Sequence, residues 1–133
     1  VLAELAELGG KALMRGLLPL LNSEISSKLE KSLNSDLDLI APPSSYAYLI
    51  AAAAEIKPLL VLTASSNAAA DLAKEVKELH SNTLEFPAWE TLPHERLSPS
   101  SDTVSKRIST LNFLKSYDPK NDDNLVVVAP IRA

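Results

Sequence analysis

Leu59-Leu60-Val61-Leu62-Thr63-Ala64-Ser65-Ser66-Asn67-Ala68-Ala69-Ala70-Asp71-Leu72 carries the clearest fold signal in the chain. Leu59 to Ala64 is a short, nearly unbroken apolar run without charge, the pattern of a strand buried on both faces. Ser65, Ser66 and Asn67 then supply side-chain oxygens suited to capping a helix. Behind them Ala69, Leu72, Val76 and Leu79 recur at helical spacing and predict the buried face of that helix. A buried strand running straight into a capped amphipathic helix is half of a βαβ unit.

The same alternation extends in both directions. Upstream, Leu37 to Ala41 reads as a strand ended by Pro42-Pro43, which cannot continue a sheet ladder. Ser44 or Ser45 is then expected to cap a helix through Ile56, built on Tyr46, Leu49, Ile50 and the four alanines 51–54. Downstream, Leu84 to Phe86 reads as a third strand, and a proline-punctuated loop runs from Pro87 to Pro99. A helix from about Ser101 to Lys115 is expected to bury Val104, Ile108, Leu111 and Leu114. After a polar connector at 116–124, Leu125 to Ala129 reads as a fourth strand. Short apolar strands alternating with helices imply right-handed crossovers. The expected fold is therefore α/β, a parallel sheet of about four strands covered on both faces. Residues 1–35 read as a separate helical segment, with Leu2, Leu5 and Leu8 before Gly9-Gly10 and a later stripe of Ile25, Leu29 and Leu33. Residues 36–133 form the α/β part.

Composition narrows the function. The chain has 133 residues, 46% apolar but only 5% aromatic, so Leu, Ala, Ile and Val must make the core. Its net charge of −4 lacks the basic excess that phosphate neutralisation asks of a free-standing nucleic-acid binder. Cysteine is absent, which excludes disulfides, thiolate catalysis and cysteine-ligated zinc and agrees with the cytoplasm. No apolar stretch approaches the ~20 residues of a membrane helix. The chain begins on Val1, carries Glu4 and Glu7 where a basic leader would stand, and stops after a strand-like run; it reads as a piece of a larger protein.

Ligands of parallel α/β sheets bind beyond the carboxyl ends of the strands. The first such turn, Ala41-Pro42-Pro43-Ser44-Ser45-Tyr46, has neither the glycines nor the lysine of a phosphate loop, and its prolines lack N–H donors. Gly9, Gly10 and Gly16 all lie upstream of the sheet. A working nucleotide site, or a small enzyme of phosphate-loop ancestry, is the alternative that these absences count against. A flavodoxin-like receiver would want acidic strand ends, whereas Ala41, Ala64, Pro87 and Ala129 stand there. His80 and His94 are too far apart for a zinc pair, Asp122-Asp123 reads as a solvated turn, and Ser98, His94 and Glu95 lack the nucleophile elbow of a triad. No catalytic, metal or cofactor residue is expected.

The loop Phe86-Pro87-Ala88-Trp89-Glu90-Thr91-Leu92-Pro93-His94-Glu95-Arg96-Leu97-Ser98-Pro99 carries the only Trp, stiffened by prolines. It reads either as a packed loop covering a core edge or as a docking surface with Trp89, Glu90, Leu92, Pro93 and Arg96 as contacts. Were the Trp89 ring core, its removal would cost roughly 3–5 kcal/mol.

This loop, with Ser101-Asp102-Thr103 and Arg107-Ile108-Ser109-Thr110-Leu111 after it, closely resembles the N-terminal region of bacterial transcription-repair coupling factors, the Mfd proteins. It is more distantly similar to UvrB, which has a Pro-Ser-Ser-Asp-Thr stretch at the place of Pro99 to Thr103. The resemblance implies a UvrB-like domain that has lost its nucleotide loop. It implies a parent that is an ATP-dependent DNA translocase, whose motor uses ATP and magnesium and lies outside this chain. The parent's implied partners are RNA polymerase, UvrA and DNA, with neighbouring domains of the same chain and no membrane. The UvrA-contacting domain is expected to follow Ala133, which makes Arg132 the nearest candidate for a role there.

Overall fold

A computed structural model describes residues 33, 35, 36, 38–90 and 98–133. The helical segment expected over 1–35 lies outside these, apart from Leu33 and Ser35, as do Leu92, Pro93 and Arg96 of the loop. The element order is α1 (Tyr46–Ala54), β1 (Leu59–Thr63), α2 (Ser66–Leu79), β2 (Thr83–Glu85), α3 (Ser101–Ser116) and β3 (Val126–Pro130). The chain is α/β, with a parallel sheet flanked by helices.

The sheet has three strands among the described residues, in the order β1-β3-β2. Leu59 pairs with Val126 and Thr63 with Pro130 on one side of β3; Thr83 pairs with Val126 and Glu85 with Val128 on the other. All five β3 residues are buried, which fits a strand made of Val-Val-Val-Ala-Pro. Pro130 is tolerated in this central position because β2 has already ended. The Val126 N–H donates to Asn82 O, so two further steps would bring the N–H of residue 130 to Phe86, past Glu85.

One face of the sheet is packed. Val126 and Val128, with Leu59 and Val61 beside them, meet Ala47, Ile50 and Ala54 of α1 and Ala69, Leu72, Ala73 and Val76 of α2. Alanines at the facing positions let the two helices and the sheet approach closely. α2 starts as the sequence implies, with the Ala68 N–H donating to Ser65 Oγ at 3.3 Å.

Three expectations are corrected. Residues 38–41 of the expected first strand carry no ladder, Leu37 lies outside the described residues, and the sheet has three strands among the described residues where about four were expected. At one end Leu33 packs, as Leu59 does, on Ala52 and Ala53, while Lys57 Nζ donates to Leu33 O. At the other, Pro42 begins a 3-10 turn over Pro43–Ser45 in which Ser45 N–H donates to Pro42 O at 2.9 Å. That turn also explains why Ser45 does not cap α1: its Oγ donates to Pro42 O instead. The third correction concerns α3. Of its expected inner face Ile108, Leu111 and Leu114 are exposed, the first two at 53% each, and Val104 is half-buried, while Thr103 and Thr110 are buried.

The packing gives a paired prediction. Val76 is fully buried and Leu60 is 68% exposed. Val76→Ala should lower unfolding stability by about 2 kcal/mol and Leu60→Ala by less than about 0.5 kcal/mol. Urea unfolding of both variants checks it, and a large loss on Leu60→Ala would place a covering layer on that face.

Candidate functional site

Of the residues anticipated from sequence, Trp89 and Glu90 follow β2 and Arg132 follows β3, at the carboxyl ends of those strands; Leu92, Pro93 and Arg96 lie outside the described residues. Between α1, β1 and α2 lies a cleft of about 600 Å³. Leu39, Pro43, Tyr46, Ile50, Val61 and Leu72 are among its lining residues, and no charged residue is. Pro42 and Pro43 stand at the entry to α1, and in the first turn of α2 the Ala68 N–H donates to Ser65 Oγ. The lining offers mainly apolar contact.

The loop after β2 is organised by α3. Ser100 caps α3, its Oγ accepting from the Thr103 N–H at 3.2 Å. Glu90 reaches the same point from the loop. Its carboxylate accepts from the Thr103 hydroxyl at 2.8 Å, the Ser100 hydroxyl at 3.0 Å and the Ser100 N–H at 3.1 Å. A carboxylate at a helix N-terminus is favoured by the helix dipole as well as by these donors. The Thr103 hydroxyl first, then the Ser100 N–H and hydroxyl, hold the Glu90 carboxyl below its ordinary value of 4.5.

One turn along the helix, the Arg107 guanidinium lies 4.1 Å from the Phe86 ring centroid and 4.4 Å from that of Trp89. It also donates through Nη1 to Pro87 O at 2.6 Å. Farther on, the Thr110 hydroxyl donates to Glu85 O at 3.3 Å, and Lys106 lies 3.9 Å from Glu85 and 3.6 Å from Asp102. Thr103, Arg107 and Thr110 follow helical spacing, so one polar stripe of α3 bonds to β2 and the loop. This is the physical reason that the apolar stripe points elsewhere.

Trp89 is therefore not core. Its ring is 47% exposed and rests on Arg107. The structure brings Trp89 and Glu90 together with Ser100, Thr103 and Arg107, but no hydrogen bond or ion pair joins them to the exposed Arg132. Sequence reasoning missed the roles of Ser100 and Arg107. The available signal was the spacing of Ser100, Thr103 and Arg107, which lines up on one helix face behind a proline.

Asp122 accepts from the Asp118 N–H at 2.7 Å in an exposed turn, and the His80 ring bonds to Asn124 O at 2.7 Å beside the end of α2. Among the described residues no group of three or more His, Cys, Asp or Glu side chains is placed to hold a metal, and no helix is long and apolar enough to cross a membrane.

No protein-family model matches the chain. Over 84 residues, 62% of its length, it is 45% identical to the transcription-repair-coupling factors of Mycobacterium bovis and Mycobacterium tuberculosis. Over 58 residues, 43% of its length, it is 36% identical to that of Haemophilus influenzae. This chain is similar to transcription-repair-coupling factors. The aligned stretch spans 7% of the mycobacterial proteins and 5% of the Haemophilus one.

Two measurements test the loop. The Glu90 carboxyl should titrate below 4.5 in an NMR pH series and move back toward 4.5 in Thr103→Ala. Because the folded value lies below the unfolded one, the stabilisation is complete above 4.5 and is lost as pH falls through the folded value. Trp89→Ala should cost about 1 kcal/mol, the scale of a surface cation–π contact, rather than a core-sized loss. A loss of several kcal/mol in chemical denaturation would restore the packed reading.

Proposed function

We propose that this chain is a non-catalytic scaffold module of a transcription-repair coupling factor. It supports recruitment of UvrA to RNA polymerase stalled at DNA lesions. The single observation that carries the reading is the 45% identity to such factors over 84 residues. The parent is an ATP-dependent DNA translocase of the cytoplasm, whose motor, with its ATP and magnesium, lies elsewhere in the longer chain.

In this reading the α/β unit is a UvrB-like domain whose nucleotide cleft has become apolar. Its lining by Pro43, Ile50, Val61 and Leu72 supports that view, because desolvating phosphate charge among such side chains is unfavourable. The chain's task is to hold neighbouring domains, with the Trp89 loop as a stiff contact. Arg107 and the Glu90 capping contacts limit how far that loop can move.

Titrating the chain calorimetrically with magnesium-ATP tests the non-catalytic part; no saturable heat is expected at high micromolar nucleotide. A saturable isotherm would defeat that part of the reading. Binding to purified UvrA tests the recruitment part. It should appear when the chain is extended beyond Ala133 and be absent from the 133-residue chain. Failure of both to bind would end the recruitment reading.

A further inference from the structure

We draw no further inference here: the strongest candidate, the outer edge of β1, unpaired among the described residues and carrying the exposed Leu60 and Leu62, carries nothing because nothing in the structure shows what covers it.

Discussion

The structure hangs on β3. Among the described residues it is the only strand with a partner on each edge, and every one of its five residues is buried, so its backbone groups must be satisfied by β1 and β2. Residues 126–128 set the register of both neighbours, and the side chains of Val126 and Val128 anchor α1 and α2 on one face. Pro130 closes the strand where no β2 partner remains. The helices gather on that face because their inward positions are small: alanines allow a close approach that Leu or Ile would prevent.

A second, weaker constraint acts on the other side. α3 is held by a polar stripe, with Thr103, Arg107 and Thr110 bonded to the loop carboxylate, a loop carbonyl and a strand carbonyl. Buried polar contacts fix rotation more sharply than apolar burial does, because their partners are directional. The outcome is a helix turned with much of its apolar stripe to solvent beside a sheet whose outer strand shows two leucines. A loop and an apolar face are thus set by one helix, the loop through its bonded stripe and the face through what that stripe leaves uncovered.

The carboxyl-end cleft and the loop behave differently as surfaces. The cleft is lined by apolar groups and offers no charge to a ligand. Residues 86–90 are held by a hydrogen bond and cation–π contacts to Arg107 and by the Glu90 contacts at the start of α3, yet nearly half of Trp89 is accessible. A held, exposed aromatic loses little entropy on association, which is the physical basis for the contact role proposed for Trp89.

By itself the sequence determined the α/β class, the βαβ path from Leu59 through β3, the Ser65 cap and the family resemblance. Each of these is written in local pattern: apolar runs of strand length, oxygen side chains before helices, and a distinctive proline-tryptophan loop. Tertiary structure decided whether Leu37 to Ala41 would join the sheet, which stripe of α3 would face inward, and whether Trp89 would be core. Periodicity marks an apolar stripe but not whether anything covers it. In α3 the hydrogen-bonding reach of Thr103, Arg107 and Thr110 outweighed the stripe of Ile108 and Leu111. That competition depends on where Glu90, Pro87 O and Glu85 O lie in space, and no local pattern in the sequence records it.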